Sequence, residues 1–268
     1  MSSDPSATLR RACPLCGQTN AIARLSRPPW RLVQCMGCSL AYLPETPAPQ
    51  RLEHEFEWEQ TFARDRRARW RNTPLMRAWT LLVLTLKPGR DRRALRRIRR
   101  YARTGRLLDI GCGAGRLSAL ALQSGFDPLG VELSPRMAAK ARGRLGADRV
   151  RIGRLQDCNL PAGGFDVAVS ISYIEHDPDP LPVMRHVHVL LRPGGVCLHK
   201  TPNYNSLLRR VLGRRWSGYR WPEHVQYFTP ATLGRLMEKA GFEVLDTRAN
   251  PLGDNFWLAA RKPPAAAK

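Results

Sequence analysis

From residue 106 to residue 260 the chain alternates between two hydrophobic rhythms. Short, nearly continuous apolar runs stand at Arg106–Ile110, Pro128–Glu132, Arg149–Ile152, Phe165–Ile171 and Val196–His199. Runs of this length and density predict strands buried on both faces, as in a parallel sheet. Between them apolar residues recur at helical spacing. Leu117–Ser124 is closed by Gly125, and Pro135–Leu145 has Ser134 placed as N-cap with Pro135 at the first helical position. Leu181, Met184, Val187 and Leu190-Leu191 form the next helical period, ended by Pro193-Gly194-Gly195. Thr229-Pro230 caps Ala231–Ala240, which Gly241 stops. Phe242–Thr247 and Asn255–Ala260 follow with no room for a helix between them, which predicts that one runs antiparallel. The whole pattern predicts an α/β fold, a doubly wound, mostly parallel sheet of seven strands.

Upstream the rhythm is lost. Residues 51–104 are highly charged and carry Trp58, Trp70, Trp79 and the short apolar segment Leu81–Leu86. They predict helices broken at Pro74 and at Pro88-Gly89. Within the basic run Arg90–Arg106, Leu95, Ile98 and Tyr101 supply one apolar side. The run reads as a solvated helix face lying over the main domain; the alternative is contact with a phosphate-bearing substrate, RNA or a membrane surface. Pro44–Gln50 reads as a stiff linker. The chain therefore divides into a small N-terminal module (1–45), a basic linker or helical cap (46–104), the α/β domain (105–262) and a tail (263–268).

Composition changes this picture little. With 268 residues and 43% hydrophobic content, the chain can build a real core and is not a disordered protein. Its net charge of +22 points toward nucleic acid or an anionic surface. Yet only six of the 44 basic residues are lysines, and an arginine skew of that kind reads as codon bias across a genome. The N-terminus is polar, which predicts no secretory signal. The longest apolar run, Trp79–Leu86, falls far short of the ~20 residues of a membrane span, so the expectation is a cytoplasmic protein.

The cysteines add chemistry. Cys13-Pro14-Leu15-Cys16 and Cys35-Met36-Gly37-Cys38 are separated by 18 residues, a spacing that reads as a zinc site. Each pair predicts a knuckle whose tight turn aims two thiolates at one ion. Four thiolates make a closed tetrahedral site, structural because no position is left for substrate. Arg31–Gln34 and Leu40–Leu43 would be the strands around the second knuckle. A rubredoxin-like iron site is the alternative, and a disulfide pair is disfavoured without secretion.

After the first strand of the α/β domain come three glycines at alternate positions, Gly111, Gly113 and Gly115. Without Cβ atoms, the main chain there can pass close to a ligand, and the helix behind it offers unpaired N–H groups to an anion. Glu132 ends the second strand 21 residues after Gly111. In doubly wound folds an acid at this distance accepts hydrogen bonds from the ribose hydroxyls of a nucleoside.

Leu107–Gly115 (LLDIGCGAG), Gly130–Glu132 and Phe165–Val169 together resemble the successive motifs of class I S-adenosylmethionine-dependent methyltransferases. Similarity continues through Tyr173–Pro180, Leu191–Gly195, Thr201-Pro202-Asn203, His224–Thr229 and Ala240-Gly241-Phe242, so that it covers about residues 105–262. The resemblance implies that Gly111–Gly115 holds the methionyl part of the cofactor, with Asp109 near its amino group and Glu132 on the ribose. It implies an adenine site at the Leu155 backbone and an acid. Here Arg154 stands where an acid is common, and Asp157 is the nearest substitute. Ser170 and Ile171 should line the cofactor at the end of the fourth strand.

Methyl transfer from a sulfonium mainly requires positioning, but a hydroxyl or carbon nucleophile also needs a base. His224 and His176 are the candidates. Glu175-His176 is similar to a pair that helps bind a divalent metal in some quinol-type O-methyltransferases, but Ser172 stands where those enzymes carry a further acid. Glu223-His224-Val225-Gln226-Tyr227-Phe228 resembles the EHxxYF segment of zinc-containing sugar C-methyltransferases, which also begin with a paired-CxxC module. There the histidine belongs to the proposed acid-base machinery, which makes Tyr227 a further candidate. The tyrosine accompanying it in those enzymes is replaced by Trp221, and their large C-terminal domain is absent. The competing reading is that His224 only caps an insertion. That insertion, Asn203–Tyr227, is rich in aromatic residues and arginines and would form a substrate lid suited to a ring bearing a phosphate.

The sequence thus predicts a methyltransferase acting on a small molecule, a sugar or another cell-envelope or secondary-metabolite intermediate. An rRNA methyltransferase is the second reading, since zinc-ribbon enzymes of similar length act on RNA, although those resemble a Cys-Cys-Cys-His site. A cofactor-binding scaffold without catalysis is the third.

Overall fold

The computed structural model describes residues 8–47, 89–249 and 253–265. The helices expected before Pro88, with Trp58, Trp70 and Trp79, lie outside the described residues. The N-terminal module contains β1 (Thr8–Arg10), β2 (Ala21–Arg27), β3 (Trp30–Cys35), β4 (Ala41–Tyr42) and β5 (Glu45–Pro47). β2, β3 and β4 pair antiparallel in that order, and β1 pairs with β5. The sequence reading of Pro44–Gln50 as a linker is corrected here, because Glu45–Pro47 is a strand with Thr46 fully buried. A proline is tolerated in such a strand because a two-stranded ladder has an outer side that needs no donor.

α1 (Arg90–Ile98) precedes the alternating region, and Ala94, Leu95 and Ile98 are its buried face. Then follow β6 (Gly105–Ile110), α2 (Arg116–Leu122), β7 (Phe126–Glu132), α3 (Pro135–Leu145), β8 (Val150–Ile152), β9 (Phe165–Ile171) and α4 (Pro180–Leu190). β10 (Leu191–Pro202), α5 (Leu207–Leu212), β11 (Gln226–Tyr227), α6 (Pro230–Lys239), β12 (Glu243–Ala249) and β13 (Asn255–Arg261) complete the described elements. The caps form as the sequence predicts: Ser134 accepts the Met137 N–H, and Thr229 forms a reciprocal capping pair with Thr232.

The main sheet has seven strands in the order β12-β13-β10-β9-β6-β7-β8. Every pairing is parallel except those of β13, which is the antiparallel strand that the short β12–β13 connection requires. Alternate residues of the buried strands face opposite layers. Leu107, Val167, Val169 and Leu198 pack against α1 and α2, while Leu108, Ile110, Ala168 and Cys197 pack against α4 and α6.

The N-terminal module is not suspended from this domain. Cys13, Leu15, Val33, Leu40 and Tyr42 belong to the same continuous core as Leu233, Leu236 and Met237 of α6. Arg235 and Lys239 of α6 donate to the carbonyls of Cys38 and Leu15, each at 3.0 Å. β11 is the fourth strand of the module's sheet, with Tyr42 opposite Gln226 and Ala41 opposite Tyr227. The insertion thus completes the module.

Candidate functional site

The turn after β6 is held by two donors: the Gly111 and Cys112 N–H groups both reach the Val131 carbonyl, at 2.9 and 3.1 Å. Gly111, Gly113 and Gly115 all take left-handed backbone, which other residues rarely adopt. A Cβ on Gly111 would stand 3.2 Å from the Tyr173 ring, and one on Gly115 would stand 3.1 Å from the Ala141 backbone of α3. Gly113 donates its N–H to Glu132 Oε2 at 2.8 Å, and Ser134 N–H reaches Oε1 at 2.9 Å. The glycine turn therefore fixes the orientation of the carboxylate that the spacing singles out. A carboxylate has about four lone-pair sites, enough for one side chain both to hold a backbone turn and to accept from a vicinal diol. Gly130 belongs to the same arrangement, because a Cβ there would fall 2.6 Å from Cys112 Sγ.

Asp109 lies behind the turn. It is 3% exposed and accepts a 2.6 Å hydrogen bond from Ser118 of α2, and burial raises its pKa to about 7. Its link to Ser118 ties β6 to α2. Ser170 is buried on the face of the sheet that carries His199, and Ile171 is half-buried at the strand end. Leu155 starts a short 3₁₀ turn with its side chain buried in the core, and Asp157 is exposed at the end of that turn.

The second half of the site follows β9. Ser172 has a left-handed backbone (φ 55°) and donates its N–H to the Lys200 carbonyl at 2.8 Å. Tyr173 then lies against Gly111 and donates its hydroxyl to Asp177 at 3.0 Å. The Gln226 side chain donates to the carbonyls of Ile174 and Asp177, and the Val225 N–H donates to the Glu175 carbonyl. These bonds hold the two sequence-predicted histidines together. His176 and His224 meet edge to face with ring centroids 4.7 Å apart. One ligand-type atom from each of Glu175, His176 and His224 lies within 4.8 Å of the others.

Their protonation follows from their surroundings. Burial, helped by the Arg220 guanidinium, lowers His176 to about 3. Burial, then His176 and Arg220, hold His224 well below its ordinary value, so both rings are neutral at pH 7. His224 Nδ1 is 2.9 Å from the Gly218 carbonyl. A carbonyl only accepts, so Nδ1 carries the proton and Nε2 keeps its lone pair. Glu175 accepts from Thr201 Oγ1 at 2.9 Å, while its other oxygen finds no hydrogen-bond partner among the described residues. Burial raises this carboxyl to about 7.

Tyr227 is also close, its ring centroid 6.2 Å from that of His224. It belongs to a buried aromatic cluster with Tyr204 and Trp216, packed on Leu32, Ala41 and Leu43 of the N-terminal module, and burial raises its phenol well above 10. Tyr173 and Gln226 are not singled out as site residues by sequence reasoning, and Glu175 enters it only through its pairing with His176. Tyr173 had a legible signal, since it stands two residues beyond a strand that ends beside the glycine turn.

The four cysteines converge as their spacing predicts. Cys13 and Cys38 sulfurs are 3.4 Å apart, as are those of Cys16 and Cys35, and all four lie within 4.8 Å of one another. All are free thiols. The knuckle turns close through Gly17 N–H to Cys13 carbonyl and Ser39 N–H to Cys35 carbonyl. Four soft sulfurs, three of them on buried cysteines and that of Cys16 on a half-buried one, with no carboxylate among them, fit a tetrahedral zinc ion.

A family profile described as a methyltransferase domain matches residues 85–247. The ubiquinone biosynthesis O-methyltransferase of Psychrobacter arcticus is 32% identical over 175 residues, covering 58% of this chain and 66% of that protein. Its counterpart from Cereibacter sphaeroides is 32% identical over 172 residues, covering 58% of this chain and 68% of its own. The chain thus spans about two thirds of the length of these relatives. Among solved structures, the 1,6-didemethyltoxoflavin-N1-methyltransferase of Burkholderia thailandensis, bound to 1,6-didemethyltoxoflavin and S-adenosylhomocysteine, aligns with a TM-score of 0.54 at 20% identity. That alignment covers 91% of this chain and 100% of the other. A methyltransferase from Archaeoglobus fulgidus aligns with a TM-score of 0.52 at 19% identity, covering 64% of this chain and 92% of its own. These two likenesses are likenesses of fold. The glycine turn and Glu132 both fall within the matched residues, and the chain belongs to the class I S-adenosylmethionine-dependent methyltransferases.

Proposed function

We propose that this protein transfers a methyl group from S-adenosylmethionine to a hydroxyl of a small ring-bearing molecule, and that zinc holds its four-cysteine module. The observation that carries this reading is the segment Tyr173–Asp177. At one end it lies on the glycine turn, and two residues on it brings Glu175 and His176 against His224. On this reading it would span from the methyl-donor site to an acid-base cluster.

When bound, S-adenosylmethionine supplies a methyl group already activated by its sulfonium. The chain supplies positions. Gly111–Gly115 would receive the methionyl part, Glu132 the ribose diol, and the turn Leu155–Asp157 the adenine, while Asp109 shapes the turn from behind through Ser118. Ser170 and Ile171 would form the strand end beneath the cofactor. His224 would take the hydroxyl proton at Nε2, the nitrogen that its bond to Gly218 leaves available. His176 would keep that ring in place edge-on, with Tyr227 packed nearby.

A neutral histidine as base narrows the acceptor. A weak base matches an acidic hydroxyl, such as a phenol with a pKa of about 10, better than an aliphatic sugar alcohol. The O-methyltransferase relatives favour the same choice. A sugar or cell-envelope intermediate is the second reading, favoured by the paired-CxxC module joined to the His224 segment. The test uses methyl-labelled S-adenosylmethionine with a panel of phenols, sugar nucleotides and cell fractions. Label recovered as a phenyl methyl ether supports the first reading. Label in glycan supports the second, and label in RNA overturns both.

A further inference from the structure

Arg11 precedes the first knuckle by two residues and is the point where three segments of the chain meet. Its Nε donates to the Leu43 carbonyl at 2.9 Å, next to β4. Its Nη2 donates to the Val225 carbonyl at 2.6 Å, next to His224. Its Nη1 donates to the Pro178 carbonyl, at the end of the segment that carries Glu175 and His176. The Val225 carbonyl also receives the Leu43 N–H at 2.9 Å, beside the β4–β11 ladder. A guanidinium is a rigid fork of five donors, so one group fixes the mutual geometry of three carbonyls where a flexible ammonium cannot. Burial pulls the Arg11 pKa down to about 10, which still leaves it charged at pH 7.

We infer that Arg11 is a positioning residue for the acceptor half of the site, and that the four-cysteine module is the template on which His224 is brought to Glu175 and His176. The inference rests on the reading of His224 as the base, but it assigns the module a task that the reading does not contain. Three observations support it. Among the described residues, the strand that follows His224 is paired only within the module's sheet. The knuckle carbonyls of Leu15 and Cys38 are anchored on α6. And the Arg11 fork ties both His-bearing segments to the module with donors that the glycine turn does not use.

The consequence is a separation of the two halves of the site. Glu132 and Gly113 are held to each other across the turn and β7, so cofactor binding should not depend on Arg11. Acceptor chemistry should. A displacement of about 1 Å at a catalytic group can cost on the order of 100-fold in rate.

The test compares Arg11→Met, Arg11→Lys and the full-length parent by three measurements. For Arg11→Met, calorimetric affinity for S-adenosylmethionine should stay within about twofold, while kcat on the acceptor found above falls about 10- to 100-fold. Arg11→Lys, which keeps the charge but loses the fork, should recover only part of kcat. Hydrogen exchange at the Val225 and Gln226 amides should quicken at least about tenfold in both variants, with β6 and β7 unchanged. Removing zinc from the parent with a chelator should quicken the same two amides. If Arg11→Met folds and leaves both kcat and the exchange of Val225 and Gln226 at parent values, the inference is wrong. If Arg11→Met does not fold, Arg11→Lys and the chelated parent decide by the same exchange measurement. If the parent methylates no hydroxyl, the proposed function fails, and the exchange measurement still decides the role of Arg11.

Discussion

Replacing Glu132 by Gln tests the proposed cofactor site with little change in shape. Both carboxylate oxygens accept a backbone N–H, from Gly113 at 2.8 Å and from Ser134 at 2.9 Å. An amide has one oxygen and one NH₂, so either rotamer turns a donor toward one of those two N–H groups. The variant loses a hydrogen bond to a charged acceptor, worth about 1.5–3 kcal/mol. It also loses one acceptor for the ribose diol. With 1.4 kcal/mol per decade, affinity for S-adenosylmethionine should fall about 10- to 100-fold. Because Glu132 also anchors the turn, the free protein should lose about 1–2 kcal/mol of stability in urea. Calorimetry and denaturation on the same preparation measure both quantities. Unchanged cofactor affinity with reduced stability would show that Glu132 serves the turn alone, and the ribose assignment would be refuted.

Four further outcomes are expected. His224→Gln should keep cofactor affinity and lose about 100-fold or more in kcat on a hydroxyl acceptor, within the usual range for a general base; full turnover would return His224 to a structural role. Cys38→Ser should lower bound zinc, measured by metal analysis, and an equal zinc content would argue for a site elsewhere. Gly115→Ala should cost about 2–4 kcal/mol, from overpacking against α3 and a left-handed backbone, and denaturation at parent strength would refute the close approach to Ala141. His176 has a folded pKa near 3 against an unfolded 6.5, so its contribution is complete above pH 6.5 and is lost as pH falls toward 3. Glu175 and Asp109, raised to about 7, act oppositely and favour the folded state as pH falls from 7. The Tm gap between the parent and His176→Asn should therefore narrow from pH 7 to pH 4, and a constant gap would contradict the assigned burial.

The parts of the fold legible in the sequence are those where one local rule decides. Buried strands such as Phe165–Ile171 show as apolar runs, and Ser134-Pro135 and Thr229-Pro230 mark helix starts because capping is local. The glycine turn was legible for the same reason, since its glycines and Glu132 lie on consecutive elements. Less visible was whatever depends on partners far along the chain. Glu45–Pro47 looks like a linker until its pairing with Thr8–Arg10 is known. Gln226-Tyr227 is a strand only because β4 lies beside it, and nothing in a two-residue run announces that. Asp109 is conspicuous in the motif, but its Ser118 partner is a matter of packing. Arg11 is one arginine among many, and its importance lies wholly in three carbonyls that adjacent sequence does not reveal.

The closure of the N-terminal sheet by β11 sets a schedule for the growing chain. Arg235 comes 197 residues after the Cys38 it anchors, and Lys239 comes 224 residues after Leu15. At about 5–20 residues per second of synthesis, the module waits roughly 10–45 s for these partners. During that interval β4 is an open strand edge, a surface prone to mispairing. Metal binding by the two knuckles needs only residues 13–38, all made early. A zinc ion held there, as proposed, would fix the shape of β3 and β4 on the ribosome, so that β11 arrives at a finished edge. Zinc-starved cells should accordingly accumulate this chain as aggregate before they lose activity per folded molecule.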